Sequence, residues 1–281
     1  MCSVRGYNQM IFLKSLDSGQ FEKHHCGALI STREIRCAPT VTSTKSPEGS
    51  VMKAIEQFES PCAMPNGLQW TDEGLFVMDQ QTDNVYVVDE TGSLLRTINT
   101  PTANGSGITV GGGYLWTASN GESASRPKRS TDTGLGYVYK LNLKTGQAID
   151  RFRTPDGGGI HGIEWDDGKI WITAFNPLAI ILVDPYNGYQ IAHKFEVDLP
   201  RLHGLARFGD GLWCAHTTDN VIVKYDIESG VEKDRITMNP DDAYVHGLSI
   251  KDGELWYCDA NFAGRHNSAT NGKPEVGKIV A

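Results

Sequence analysis

The sequence lacks the features that would assign the chain to a membrane or to nucleic acid. No apolar stretch in its 281 residues approaches the ~18 uninterrupted apolar residues that a membrane span needs. Its 26 Lys and Arg are outnumbered by 34 Asp and Glu, and a formal net charge of −8 argues against a phosphate backbone as a partner. The N-terminus shows no signal-peptide pattern, because the apolar stretch at residues 10–16 is short and no convincing cleavage site follows it. We therefore expect neither a nucleic-acid partner nor a membrane.

Cysteine-based sites and the common catalytic motifs are also missing. The six cysteines show no CxxC or zinc-type spacing, so we interpret them as reduced thiols of a cytoplasmic protein. The GxSxG, HExxH, Walker and dinucleotide-binding motifs are absent as well. A serine nucleophile, a zincin site and nucleotide chemistry therefore have no support in the sequence.

What the chain does have is glycine, 31 residues of it, and an internal repeat of about 40 residues. Five segments share a polar residue followed by Gly and Leu or Ile, then a turn, then an aromatic residue in an apolar strand. The polar residues that open these segments are Asn66, Ser106, His161, His203 and His246. Each segment is followed by a third apolar strand, at residues 85–88, 137–141, 180–183, 221–225 and 277–280. Four segments end with a more polar fourth strand, at residues 95–98, 148–152, 190–195 and 232–236.

Four antiparallel strands per repeat are typical of the blade of a β-propeller. The fifth repeat stops after its third strand, and residues 53–58 form an amphipathic stretch that can supply the missing fourth strand. This pairing would close the ring without a bare sheet edge. The sequence therefore predicts an all-β fold, a single five-bladed propeller over residues 51–281. Residues 1–50 do not match the repeat and are predicted to form an irregular N-terminal extension.

The alignment of the repeats also predicts which face carries the chemistry. Because neighbouring strands are antiparallel, the start of the first strand and the end of the second lie on one face. The starting positions converge near the propeller axis, and we call them the axial position. The residues predicted to end the second strands are Asp79, Asn120, Asn176, His216 and Asp259.

Three histidines at the axial position are the sharpest signal. His161, His203 and His246 follow one another at spacings of 42 and 43 residues. Three converging imidazoles can hold a divalent ion such as Zn, Mn, Fe, Ni or Cu, so we predict a metal site there. Without a metal, the same imidazoles could act as general acid and base. The alternative is that the axial position, which is polar in every blade, has a purely structural role, as Asn66 and Ser106 suggest.

Other residues on the predicted face could complete the site. His216, Asp259 and Asp79 are predicted to move protons or to support the metal ligands. The candidates for binding a small-molecule substrate are Asn66, Asn120, Asn176, Arg126, Arg129 and Arg265. The three arginines lie in two long loops, residues 120–136 and 261–277, whose positive charge suits an anionic substrate. The alternative is that both loops are simply solvated.

The segment HGIEWDDGKIWITAFNPLAIILVDPYNG, which begins at His161, resembles the repeat of the streptogramin lyase-like, YncE-like and, more distantly, gluconolactonase-like propellers. The resemblance covers roughly residues 58–281. It implies an axial metal and lactone-opening chemistry, with His161, His203, His246 and His216 as the residues that match by position. This chain departs from those families in blade number, since they have six or seven. Plant-type glutaminyl cyclases are five-bladed, but their characteristic motifs are not seen in this sequence.

The combined expectation is a metal-assisted hydrolase or lyase that acts on a small ester, lactone or related carbonyl compound at the mouth of the channel. The alternative function is a non-catalytic propeller that binds a protein or peptide on the same face.

Overall fold

The computed structural model of the chain describes residues 52–122, 126–260 and 273–280. These residues form twenty strands in five four-stranded antiparallel sheets, which confirms the predicted five-bladed propeller. The predicted extension over residues 1–50 lies outside the described ranges. In the part of the chain that is described, no helix has the length and apolar character needed to span a membrane.

The strands follow the repeat closely. In chain order they are β1 (Lys53–Glu59), β2 (Pro65–Thr71), β3 (Gly74–Asp79), β4 (Asn84–Val88), β5 (Leu94–Asn99), β6 (Gly105–Gly111), β7 (Tyr114–Ser119), β8 (Tyr137–Asn142), β9 (Ala148–Arg153), β10 (Ile163–Asp166), β11 (Lys169–Phe175), β12 (Leu178–Asp184), β13 (Gln190–Glu196), β14 (Leu202–Phe208), β15 (Gly211–His216), β16 (Val221–Asp226), β17 (Glu232–Thr237), β18 (Val245–Lys251), β19 (Glu254–Asp259) and β20 (Glu275–Val280). Blades one to four are β2–β5, β6–β9, β10–β13 and β14–β17, and each runs from the axis outward. Blade five has the order β18, β19, β20, β1.

The N-terminal strand closes the ring, as the sequence predicted. β1 pairs antiparallel with β20, from Lys53 opposite Val280 to Glu59 opposite Glu275. A bulge interrupts this pairing between Glu56 and Phe58. Blade five is therefore built from both ends of the propeller sequence, and β20 is not left as a bare edge.

Each interface between neighbouring blades has its own apolar cluster. The aromatic residue that recurs in the second strand is buried in every blade, at Phe76, Trp116, Trp171, Trp213 and Trp256. The second strand needs such residues because both of its faces pack against other blades. These aromatic residues therefore belong to the core and not to a ligand cage.

The glycine after the axial position brings neighbouring inner strands into backbone contact. A Cβ atom on Gly162 would fall within 3.0 Å of the His203 carbonyl oxygen, and one on Gly204 would meet the His246 carbonyl oxygen at 2.6 Å. On Gly247 the added atom would lie 3.0 Å from the Cα of Gly67, so the contacts run on from blade five to blade one. With only five blades the inner strands must approach this closely, and glycine is the residue that allows it.

Hydrogen bonds between the inner strands lie two residues further along each strand. Thr109 Oγ1 accepts from the Trp165 backbone N–H at 2.9 Å, and Glu164 Oε1 accepts from the Arg207 backbone N–H at 3.1 Å. The Glu164 side chain is buried. Glu164 is therefore part of the contact between blades three and four.

Burial gives Glu164 a measurable effect on stability. Desolvation raises the pKa of its carboxyl to about 8 from an ordinary value near 4.5. As the pH rises from about 4.5 to about 8, the unfolded state releases this proton while the folded state retains it. The free energy of unfolding should therefore fall across this window, on the order of a few kcal/mol in total. Glu164→Gln keeps an acceptor for the Arg207 N–H and should remove this fall.

Urea unfolding of both proteins at pH 5, 6, 7 and 8 tests this expectation. Glu228→Gln, at an exposed position, is the matched control and should follow the wild type. Parallel pH profiles for the wild type and Glu164→Gln would contradict the assignment.

Candidate functional site

A local irregularity of the inner strands presents the axial residues. The pairing of the first two strands is interrupted by a bulge in four blades, at Pro65/Gly67, Gly105/Gly107, Leu202/Leu205 and Val245/Leu248. In blade three, β10 begins only at Ile163, so His161 precedes the strand. A bulge leaves a residue out of the regular ladder and redirects its side chain. In this fold the axial residue is released from the ladder.

The structure brings the three predicted histidines together. The ring centroids of His161 and His203 are 4.3 Å apart, and those of His203 and His246 are 4.8 Å apart. Both pairs meet edge to face, and each residue is 3–4% exposed. We refer to His161, His203 and His246 as the histidine cluster.

Backbone carbonyls fix the tautomer of two members of the cluster. Nδ1 of His203 lies 2.9 Å from the Arg201 carbonyl oxygen, and Nδ1 of His246 lies 2.8 Å from the Tyr244 carbonyl oxygen. A carbonyl oxygen can only accept, so both Nδ1 atoms carry the hydrogen and the lone pair is on Nε2. Histidines that bind metals through Nε2 commonly have this support. Thr217 Oγ1 lies 2.5 Å from the same Nδ1 of His203 and adds to its fixation.

His161 is held differently. Its ring stacks on Phe175 at a centroid distance of 4.7 Å, and its Nδ1 is buried with no hydrogen-bond partner among the described residues. Leaving such an atom unpaired costs roughly 1–3 kcal/mol. The orphaned nitrogen is therefore a place where a ligand would stabilise the protein.

Two members of the cluster, His161 and His203, are electrically neutral near pH 7. Burial lowers the pKa of His161 to about 3, and burial together with the neighbouring imidazoles lowers the pKa of His203 well below its ordinary value. Both side chains are therefore neutral near pH 7. Imidazoles of such low basicity are weak general bases but retain the lone pair that a metal ion requires.

The donor set thus fits a divalent ion in its chemistry. As the rings stand, however, no group of three His, Cys, Asp or Glu side chains within the described ranges is arranged to hold an ion. Metal binding would require the imidazoles to turn from their edge-to-face contacts.

Three of the residues predicted to end the second strands do so, since Asp79, His216 and Asp259 are the last residues of β3, β15 and β19. Asp79 accepts hydrogen bonds from the Met64 and Thr82 backbone N–H groups, and Asp259 accepts one from the Tyr244 N–H. His216 is buried beside Tyr225, whose hydroxyl lies 2.9 Å from its Nε2, and burial lowers its pKa to about 4. These side chains brace the segments that lead to the axial position. Their predicted role in proton transfer stays a prediction.

Two of the predicted positions were misaligned. Ser119 ends β7, so Asn120 lies one residue beyond the equivalent of Asp79. The exposed Asn176 follows the end of β11 at Phe175. The bulge displaces the axial residue by one position, so the residues that touch it come one step later than the repeat suggests. These residues, missed from the sequence, include Gln80, which accepts from Asn66 Nδ2 at 2.8 Å, together with Phe175 and Thr217.

The prediction that Arg126 and Arg129 offer positive charge to a substrate needs correction. Arg126 is buried and bonds Asp132 through both terminal nitrogens at 2.7 and 2.8 Å, and it also bonds Asp83 at 2.8 Å. Arg129 bonds the same oxygen of Asp83 at 2.8 Å. Arg126 holds the pKa of Asp132 down at about 2. Two cations and two carboxylates therefore neutralise one another and fasten this loop to blade one.

Arg265 lies outside the described residues. A groove of about 610 Å³ beside the Arg129 loop is lined by residues of blades one and two and by no member of the histidine cluster.

Comparison with known proteins identifies the fold and no family. Glutaminyl cyclase from Myxococcus xanthus is similar in structure, with a TM-score of 0.59 and 12% identity over 82% of this chain and 96% of that one. The architecture is that of a β-propeller. A catalytically inactive virginiamycin B lyase from Staphylococcus aureus, solved with quinupristin, has a TM-score of 0.47 and 18% identity over 77% of this chain and 66% of that one. This second similarity is too low to inform the function. No family model and no curated protein sequence matches the chain.

Proposed function

We propose that the histidine cluster is the active site of a metal-assisted hydrolase or lyase that acts on a small ester, lactone or related carbonyl compound. The observation that carries the proposal is the convergence of three imidazoles from successive blades, two of them held with the lone pair on Nε2. A purely structural polar position has no need of three imidazoles, since Asn66 and Ser106 occupy it in the other blades.

His161, His203 and His246 would hold the ion. A divalent ion bound there supplies a Lewis acid that polarises the carbonyl oxygen of the substrate. The chain's own residues set the tautomer of two ligands, because the Arg201 and Tyr244 carbonyls accept from Nδ1 of His203 and His246 and leave each lone pair on Nε2. Burial keeps the His161 and His203 imidazoles unprotonated, so protons do not compete for their lone pairs near pH 7.

A second candidate is a non-catalytic propeller that binds a protein or peptide on this face. Two observations favour it: the imidazoles are only 3–4% exposed, and no three donors in the described part of the chain already converge on one point. In that case the imidazoles fill the centre of the propeller and take no part in catalysis.

Turnover separates the two functions. We expect the protein, equilibrated with Zn(II) or Mn(II), to hydrolyse or open members of a panel of p-nitrophenyl esters and lactones. Replacing any one of the three histidines with alanine, or adding a chelator, should lower turnover by about 10²-fold or more. His193→Ala is the matched control, because His193 packs between Trp171 and Phe195 away from the cluster.

Activity in the three alanine variants equal to that of the wild type would refute the active-site assignment. The partner-binding function would then be the better account.

A further inference from the structure

A cation that the sequence did not single out lies beside the histidine cluster. Arg201 is exposed, and its guanidinium has no carboxylate within 4.0 Å among the described residues. Arg201 precedes His203 by two residues, and its carbonyl oxygen accepts from Nδ1 of that histidine at 2.9 Å. The cation therefore belongs to a residue in direct contact with the cluster, and no carboxylate in the described part of the chain pairs with it.

The backbone of Arg201 is unusual for an arginine. Its φ angle is 55°, in the left-handed region, and the equivalent positions of blades two and three are Asn104 at 55° and Gly159 at 88°. Asn and Gly enter this region easily, whereas a long side chain does so at a cost. Such outliers tend to be retained at functional sites.

The hydrogen bonds of Arg201 to the cluster do not require its side chain. Its carbonyl oxygen accepts from Nδ1 of His203 at 2.9 Å and from the Thr217 N–H at 3.2 Å. Asn or Gly at this position would present the same carbonyl with less strain.

We propose that Arg201 binds the carboxylate of an anionic substrate and so places it against the histidine cluster. The guanidinium offers paired donors that match a carboxylate, and such charge-assisted bonds are strong. This inference rests on the proposed function for the location of the site, and it names the substrate class as a carbonyl compound that carries a carboxylate. It gives to Arg201 the role that the sequence assigned to Arg126 and Arg129.

The test uses benzoate and its uncharged counterpart benzamide as probes of the full chain. Binding is followed by the ¹⁵N signals of the His161 and His203 imidazoles, so no turnover and no metal are needed. We expect the wild type to bind benzoate about tenfold more tightly than benzamide, a preference that Arg201→Asn abolishes and Arg201→Lys keeps in part. Arg201→Asn retains a residue that suits the left-handed backbone, so it should fold. Arg151→Asn, which removes another exposed arginine without a carboxylate partner in the described ranges, should leave the preference unchanged.

A wild type with no preference for benzoate, or a preference that survives in Arg201→Asn, would overturn the inference. Because the readout is binding, it is separable from the proposed function. Benzoate binding through Arg201 in a protein that takes up no metal would refute the metal-assisted chemistry and leave the carboxylate site standing.

Discussion

Gly162→Ala should prevent the propeller from closing. The added methyl group would lie within 3.0 Å of the His203 carbonyl oxygen and 2.9 Å from its carbon. Both are backbone atoms of the next blade, so no side-chain rotation can relieve the clash. We expect a loss on the order of 4 kcal/mol or more in the free energy of unfolding, or no folded protein at all. Urea unfolding followed by tryptophan fluorescence measures this loss.

A second glycine provides the control. Gly168 has a φ of 83° and open space around its Cα, so Gly168→Ala tests backbone strain without a clash. That strain costs about 1–2 kcal/mol. If Gly162→Ala is no less stable than Gly168→Ala, the inner strands can separate to accept the methyl group. The close backbone contact between blades would then not be required for stability.

The fold could be predicted because the same strand pattern recurs in five repeats. Each glycine after an axial residue, and each aromatic residue of a second strand, recurs for a reason that is the same in every blade. The closing strand was predictable for a different reason: the fifth repeat lacks a fourth strand, and residues 53–58 alternate in polarity as an edge strand does. Structure confirms it as β1, paired to β20.

The site was only partly predictable. The convergence of His161, His203 and His246 follows from their shared place in the repeat. The residues that hold them do not, because a bulge shifts the facing strand by one position and bulges leave little trace in sequence. Thus Thr217, which lies against Nδ1 of His203, comes one residue after the predicted His216.

Charge was predicted least well. A basic loop suggested an anion site, but the partners that neutralise Arg126 come from two segments: Asp132 in its own loop and Asp83 in blade one. Only tertiary structure brings Asp83 within reach. Conversely, Arg201 lies in the short connection between β13 and β14 without a carboxylate partner among the described residues, and its left-handed backbone is visible only in the structure.

The pairing of Arg126 also explains why its loop is an element of the scaffold. Side chains of Arg126 and Asp83 are 1% and 6% exposed, so neither charge is screened by water. Removing one partner of such a buried ion pair strongly lowers the free energy of unfolding, because the other charge stays buried without a partner. Residues 126–132 are therefore fixed to blade one.

Metal content tests the central claim most directly. The protein is purified without added metal, equilibrated with Zn(II) or Mn(II), desalted and examined by elemental analysis beside a His161→Ala/His203→Ala double variant and His193→Ala. The histidine-cluster account predicts close to one ion per chain in the wild type and in His193→Ala, and almost none in the double variant, with the same circular dichroism for all three. A wild type that takes up no ion, or a double variant that keeps the same content, would contradict it.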